Sequence, residues 1–374
     1  MILNGYRGPE PLAAFLAKFF SAEKKYGSKD RKQIAHLCYS FFRMGKAVPV
    51  QKRLTEEMIL TGLFLNTNEP NEILNTFKPE WNERIGLPLA KKLSTVNIPL
   101  TSVFPWKEEL SKGVDHEKLC ISFFVQPDLF IRIRPGYAEK VLLNLDKTGI
   151  QYEFISPFSI RLPNSFKVDQ YFETDKEIVV QDYNSQRIQE FLPISPGQSN
   201  ELWDCCAGSG GKSILAYDIN SKINLTVSDI RKSILANLKN RFKKAGIKNY
   251  RSFIIDLRED KPSNGNEDLK YEIILCDAPC TGSGTWGRTP EQLYFFNPKT
   301  IDQFNRLQKQ IVSRVIPRLQ TGGYFIYITC SVFKKENEEI AGFIKEKFNL
   351  QLKQMEVLRG YDKKADTMFV AVFC

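Results

Sequence analysis

From residue 186 onward the chain alternates short apolar runs, rich in β-branched residues, with amphipathic stretches, and no other feature restricts its fold as much. The runs "NELWDCC", "INLTVSD", "YRSFIID", "YEIILCD" and "GYFIYIT" are separated by helical patterns, among them 211–219, 231–245 and 300–319. Strands joined through helices lie parallel, because each helix carries the chain back to the starting edge, and the helices cover both faces of the sheet. Two last runs, "LQLKQMEVL" and "TMFVAVF", follow the single helix "KENEEIAGFIKEKF" and lie close together, so they are predicted to pair antiparallel at one edge. The predicted class is α/β: a mostly parallel, doubly wound, seven-stranded sheet.

At 374 residues the chain exceeds one ordinary core, so more than one domain is expected. In the first part, "EPLAAFLAKFF", "DRKQIAHLCYSFFRMGKA", "LTEEMILTGLFLN" and "PEWNERIGLPLAKKLS" repeat apolar residues every three or four positions, and Asp30 is placed to cap the second of these helices. From about 121 the texture changes to strand-like "ISFFVQPDLFIRIRPG", helical "YAEKVLLNLDKTG" and strand-like "IQYEFISPFSIRLP". The predicted organisation is a helical domain over 1–120, a small α/β segment over 121–185 and the sheet domain over 186–374. Residues 1–60 hold 11 Lys or Arg against 5 Asp or Glu, in a chain of net charge +10. A solvated helical face would account for that, and so would a surface that grips a polyanion such as nucleic acid.

No apolar stretch is long enough to span a membrane, and Lys18 interrupts the short N-terminal apolar run, which lacks a small-residue cleavage site. Eight cysteines include no C-x-x-C pair. They read as reduced thiols of a cytoplasmic protein, with neither a disulfide framework nor a metal site expected. Nothing demands more than a monomer.

"WDCCAGSGGKS" follows the first strand of the sheet domain and opens its first helix, with Gly208, Gly210 and Gly211 letting the backbone turn tightly and approach a ligand. Asp229 ends the second strand, 21 residues after Gly208, where a carboxylate suits ribose hydroxyls. Asp256 ends the third strand, placed for an adenine edge, and Asp277 ends the fourth. Any one of these aspartates could be a helix cap; three in phase line the carboxyl edge of a sheet, where such folds bind ligands. A dehydrogenase would share the glycine turn and the first aspartate. It would also want a proton-transfer group, and the two histidines, His36 and His116, lie outside this domain. The antiparallel ending resembles the sheets of S-adenosylmethionine-dependent methyltransferases instead.

Two cysteines stand where strands end: Cys280 in "ILCDAPCTGSGTWGR" and Cys330 in "YFIYITCSV". Each alone reads as a small buried hydrophobe. Together, one of them three residues after an aspartate, they suit a reaction that needs an attacking thiolate and a second thiol.

"CAGSGGK", "DAPCTGSGTWGRTPE" and "TGGYFIYITCSVFKKENE" resemble the CAxPGGK, DAPCSG and ATCSxxxxEN motifs of the RNA cytosine-C5 methyltransferases, in that order along 125–374. "VVQDYNSQ" resembles the segment before that family's catalytic domain, and "GSKDRKQIAHLCYSFFRMG" resembles a helix of the NusB-like RNA-binding domain of the bacterial small-subunit rRNA methyltransferase B group, shortened here. The resemblance implies a Rossmann-like, S-adenosyl-L-methionine-dependent methyltransferase domain acting on RNA, with 16S rRNA the foremost substrate. It implies that Cys330 is the nucleophile that adds to cytosine C6, that Cys280 assists product release and that Asp277 contacts N3. It also implies cofactor contacts from Cys206, Ala207, Gly208, Ser209, Gly210, Gly211, Lys212, Asp229, Arg231, Asp256 and Asp277.

Trp286 is a candidate for base stacking, Arg288 for a phosphate contact and Lys212 for orienting Asp277 or the cofactor carboxylate and for touching RNA. The loop "TGSGTWGRTP" is expected to be mobile enough to close over an extruded nucleotide. Gly208 and Ser209 replace the Ala and Pro common in the family, which predicts a looser turn and weaker cofactor binding. A tRNA methyltransferase with the same chemistry, and an idle RNA-binding assembly factor, are the competing readings. A DNA cytosine methyltransferase takes its nucleophile from a Pro-Cys motif and has no equivalent of Cys330.

Overall fold

The computed structural model describes residues 2–48, 54–195, 197–259 and 269–374. The chain divides into two units, Met1–Gln126 with Thr285–Pro298, and Pro127–Gly284 with Lys299–Cys374. The break predicted after 120 therefore falls at 126. The α/β segment predicted over 121–185 belongs to the same unit as the sheet domain, and 285–298 is built into the helical unit.

In the helical unit, α1 (Leu12–Ala22) buries Leu12, Leu16 and Phe20 at four-residue spacing. The helix α2 (Ser28–Arg43) is preceded by Gly27, whose N–H is accepted by the Asp30 carboxylate at 3.0 Å. Asp30 thus acts from inside the first turn and not as the cap itself. A third helix, α3 (Glu56–Asn66), is capped by the Thr55 hydroxyl. "PEWNERIGLPLAKKLS" is not one helix: Gly86 and Pro88 separate a turn at Pro79–Asn82 from Leu89–Thr95. The short helix Pro290–Phe295 joins this core, with Tyr294 5.3 Å from the Phe42 ring and Glu291 accepting the Leu12 N–H at 3.1 Å. Arg43, also buried, donates to the carbonyls of Phe123 and Gly287 at 2.7 and 3.1 Å, which ties residue 287 to the end of the helical segment.

The second unit opens with a four-stranded antiparallel sheet, in order β2-β3-β1-β4, from β1 (Leu129–Ile133), β2 (Glu153–Ser156), β3 (Ser159–Leu162) and β4 (Ile178–Val180). The helix α4 (Ala138–Thr148) covers it through Val141 and Leu145 and ends at Gly149, φ +64°, a left-handed cap that suits glycine. The main sheet contains β5 (Glu201–Asp204), β6 (Asn224–Asp229), β7 (Tyr250–Ile254), β8 (Tyr271–Asp277), β9 (Leu319–Thr329), β10 (Leu352–Leu358) and β11 (Met368–Phe373), ordered β10-β11-β9-β8-β5-β6-β7. Five strands run parallel, and β11 pairs antiparallel with both β9 and β10, the ending predicted from the sequence.

Helices α5 (Gly211–Ile219), α6 (Lys232–Ala245), α7 (Lys299–Val315) and α8 (Glu338–Phe348) follow β5, β6, β8 and β9, while the helical connection expected between β7 and β8 falls largely on 260–268, outside the described residues. The helix α7 buries Ile301, Asn305, Gln308, Ile311, Val312 and Val315, one face at helical period, against the sheet core of Trp203, Ile274, Phe325 and Tyr327. The small sheet is fastened to the large one by charge. Arg132 of β1 and the adjacent Arg134 both donate to Asp218 of α5, at 2.7 and 2.6 Å, all three side chains being buried. Among the described residues, no helix is long and apolar enough to cross a membrane.

Candidate active site

The order of the main sheet decides where a ligand can sit. From β5 the chain winds outward through β6 and β7, then returns to the other side of β5 for β8 and β9. The loops after β5 and β8 therefore part in opposite directions, and the crevice between them opens at their carboxyl ends. "CCAGSGGK" follows β5 and "APCTG" follows β8, so both motifs fall at this point, with Cys330 one residue beyond β9. A cavity of about 410 Å³ lies there, lined by Cys206, Asp229, Arg231, Asp256 and Asp277 together with apolar Ile230 and Leu257.

The first loop is fixed from both sides. The N–H of Ala207 reaches the Ser228 carbonyl at 2.9 Å, and that of Gly208 reaches the Asp229 carboxylate at 3.0 Å. Gly210 has φ +83°, and a Cβ there would lie 2.7 Å from the Phe242 ring, so the position is closed to any side chain. Ser209 is held as well: Arg241 of α6 donates to its carbonyl and its hydroxyl at 3.0 Å each, while Asp175 holds the same guanidinium at 2.7 Å. The loose turn expected from losing Ala and Pro is corrected here, because arginine bonds restrain the backbone that proline would have restrained.

Each carboxylate is partnered. Burial works against the charge of Asp229, but the Arg231 side chain and N–H and the Gly208 N–H hold its carboxyl below the usual range. Asp256 lies two residues past the end of β7, and Arg258 grips it through its N–H and guanidinium and lowers it. The Lys212 ammonium, buried at the start of α5, donates to Asp277 at 2.5 Å.

Beneath them Asp204 is buried and accepts the Ser213 hydroxyl at 2.6 Å, and burial pushes its carboxyl up to about 7 against that bond. A carboxyl raised on folding holds its proton more tightly in the folded chain. Its favourable contribution is full below the unfolded value of 3.8 and falls away as pH rises to about 7. Wild type is therefore expected to lose roughly 3 kcal/mol between pH 5 and pH 8 that Asp204→Asn retains. Urea unfolding of both proteins at the two pH values checks this, and parallel pH dependences would refute it.

The two cysteine loops are strapped together by one buried carboxylate. Glu336 accepts the Thr281 N–H at 2.8 Å, the Thr281 hydroxyl at 2.6 Å, the Ser331 hydroxyl and the Gln308 amide at 3.3 Å. Asn337 donates to the Ser331 carbonyl at 2.8 Å. Gly284 completes the junction: its N–H meets the Cys330 carbonyl at 2.9 Å, and a Cβ would lie 1.9 Å from the Thr367 oxygen. Cys280 and Cys330 are partly exposed, and backbone N–H groups of Gly282 and Cys330 point at the Cys280 sulfur. Burial pushes both thiols up, while the Lys212 ammonium pulls Cys330 down.

Sequence reasoning thus placed Cys206 to Lys212, Asp229, Arg231, Asp256, Asp277, Cys280 and Cys330 on one sheet edge. It missed Arg241, Arg258, Glu336 and Asn337, although the "EN" of "SVFKKENE" carried a signal for the last two. Two expectations need correction. Thr281 and Gly284, expected in a mobile loop, are instead each hydrogen-bonded to the rest of the sheet unit. Trp286 is 1% exposed, its ring 4.7 Å from Phe296 and 6.2 Å from Phe104, so it is core of the helical unit and offers no face to a base. Arg288 lies in the same unit, its N–H closing a turn onto Thr285. Cysteine spacing gave no metal site, yet the fold brings the sulfurs of Cys205, Cys206 and Cys276 within 4.8 Å of one another.

Residues 191–371 match the family model described as 16S rRNA methyltransferase RsmB/F. Ribosomal RNA small subunit methyltransferase B of Proteus mirabilis is 29% identical over 233 residues, 59% of this chain and 52% of that protein. The probable ribosomal RNA small subunit methyltransferase B of Bacillus subtilis is 26% identical over 236 residues, 62% of this chain and 52% of that protein. The chain spans about half the length of these curated relatives. Among solved structures, PH0851 superposes with a TM-score of 0.74 at 18% identity, covering 100% of this chain and 96% of that one. A methyltransferase homologue from Pyrococcus horikoshii superposes with a TM-score of 0.61 at 19% identity, covering 76% of this chain and 97% of that one. These likenesses show the fold, a mostly parallel α/β sheet with an antiparallel edge.

Proposed function

We propose, from the match of residues 191–371 to the family model described as 16S rRNA methyltransferase RsmB/F, that this chain methylates C5 of a cytidine in RNA, with 16S rRNA as its substrate and S-adenosyl-L-methionine as its methyl donor. The observation that carries the reading is the strapping of the Cys280 and Cys330 loops by Glu336, beside the Lys212–Asp277 pair and the cavity.

The cavity suits the donor. Asp229 and Asp256 present carboxylates to hydroxyl and amine donors, and Ile230 and Leu257 offer apolar cover to a purine. When bound, the donor supplies an electrophilic methyl group. The chain's residues prepare the base. The Cys330 sulfur, facing the Lys212 ammonium, bonds to cytosine C6 while its proton passes by way of Asp277 to N3, so the adduct is a neutral enamine. C5 becomes nucleophilic and takes the methyl group. The Cys280 sulfur, as thiolate, takes the C5 proton, the electron pair re-forms the C5–C6 double bond and the Cys330 thiolate leaves, which is the release that Cys280 assists. The base is unreachable inside a helix, so it must be extruded into the crevice. The basic helical segment grips RNA phosphates, which makes binding strongly salt-dependent. The setting is cytoplasmic.

The test mixes Cys280→Ala protein with total cellular RNA and the methyl donor and runs the products on a denaturing gel. A covalent protein–RNA adduct is expected to accumulate, and to vanish in Cys280→Ala/Cys330→Ala. Sequencing the trapped RNA distinguishes 16S rRNA from tRNA. RNA that binds without forming an adduct overturns the two-cysteine chemistry and leaves the idle binder as the reading.

A further inference from the structure

The proposed chemistry uses two of the eight cysteines and leaves three others converged on one point. Cys205 follows β5 directly and Cys276 is the penultimate residue of β8; these strands are parallel neighbours, and the Cys205 N–H meets the Leu275 carbonyl at 3.0 Å. The chain turns after Cys205, so Cys206 sends its sulfur back to the same place, and all three sulfurs lie within 4.8 Å of one another. Cys205 and Cys276 are fully buried, whereas Cys206 is partly exposed, and both Cys205 and Cys206 line the cavity.

A thiol in a core is ordinarily a lone small hydrophobe. Three whose sulfurs gather within 4.8 Å of one another form a donor set instead. We propose that Cys205, Cys206 and Cys276 form a three-sulfur site for a thiophilic d¹⁰ cation of the zinc class, open to the cavity at its fourth position. Tetrahedral zinc with Zn–S bonds of about 2.3 Å sets its sulfurs about 3.8 Å apart, so the cluster needs to contract by no more than about 1 Å. Soft thiolates select such ions over magnesium or calcium. Three protein ligands and one open position is the arrangement of zinc sites that keep an exchangeable ligand. The cavity gives the ion its path, and the thiols release protons as it binds, so affinity rises with pH. The site shares Cys206 and the cavity with the proposed methyl donor, but its test is separable from that reading, because neither Cys280 nor Cys330 belongs to it.

The experiment titrates the reduced, metal-free chain with Zn²⁺ against a chromophoric chelator and repeats the titration with Co²⁺, whose thiolate charge-transfer absorption reports sulfur ligation. One equivalent per chain is expected. Cys276→Ala and Cys205→Ala should each weaken it by at least about 100-fold, the upper end of what losing a merely supporting group costs. Cys280→Ser/Cys330→Ser should keep the full equivalent. Thermal unfolding without metal shows whether each variant is folded. A second measurement needs no variant: Zn²⁺ should slow alkylation of Cys206 in the wild-type chain at least tenfold and leave Cys374 unchanged. Absence of stoichiometric binding, binding that survives loss of Cys276 in a folded variant, binding lost with Cys280 and Cys330, or unprotected Cys206 would each overturn the site.

Discussion

Replacing Cys330 with alanine is expected to lower methyl transfer by at least about 10⁴-fold, some 5 kcal/mol of transition-state stabilisation, the scale seen when an enzymatic nucleophile is removed. The side chain stands one residue past β9, at the edge of the core, so its loss removes a sulfur and little packing. Without a bond at C6, C5 of cytosine is too poor a nucleophile to take a methyl group. Binding of the cofactor product and of RNA should stay within about twofold, because the effect is confined to the transition state. The pH profile carries a second signature. Burial raises the thiol and Lys212 opposes it, so activity should climb with pH through neutrality, and Lys212→Met should move the climb to higher pH. Methyl incorporation measured with labelled donor checks both. A Cys330→Ala protein within tenfold of wild type would end the covalent reading.

The largest effect on stability is expected at Asp218, at the other end of α5 from Lys212. Asp218→Ala leaves Arg132 and Arg134 buried side by side with no carboxylate between them. Removing one partner of a buried ion pair costs about 3–5 kcal/mol, because an uncompensated charge stays out of water. The variant should unfold at correspondingly lower urea, and the small sheet should become protease-sensitive first. Replacing the whole cluster, Arg132→Met/Arg134→Met/Asp218→Leu, should recover much of the loss, since apolar groups of similar volume need no counter-charge. A loss below about 1 kcal/mol for the single variant would show that water or relaxation satisfies the arginines.

These two predictions rest on different kinds of information. Cys330 was legible in the chain because an apolar run must stop where a strand leaves the sheet, and the first polar or reactive residue after it lies at the ligand-binding edge. The same logic located Asp229, Asp277 and Cys280, and the alternation of runs and helices located all seven strands of the main sheet. Local periodicity records which face of an element is covered, and it is set by residues a few positions apart.

What covers that face is another matter. Arg241 reaching Ser209 and Asp175, Glu336 joining the loops of Thr281 and Ser331, Asp218 between two arginines of another sheet, and Trp286 buried in the helical unit all pair residues that are distant or on different elements. The three thiols of Cys205, Cys206 and Cys276 meet only because β5 and β8 are neighbours in the sheet order although about seventy residues separate them in the chain. By itself the sequence determined the sheet, its antiparallel ending and the identity of the groups at the strand ends. The tertiary structure alone decided which of those groups touch, because strand order and helix docking are fixed by the burial of the whole chain and leave no trace in any local window.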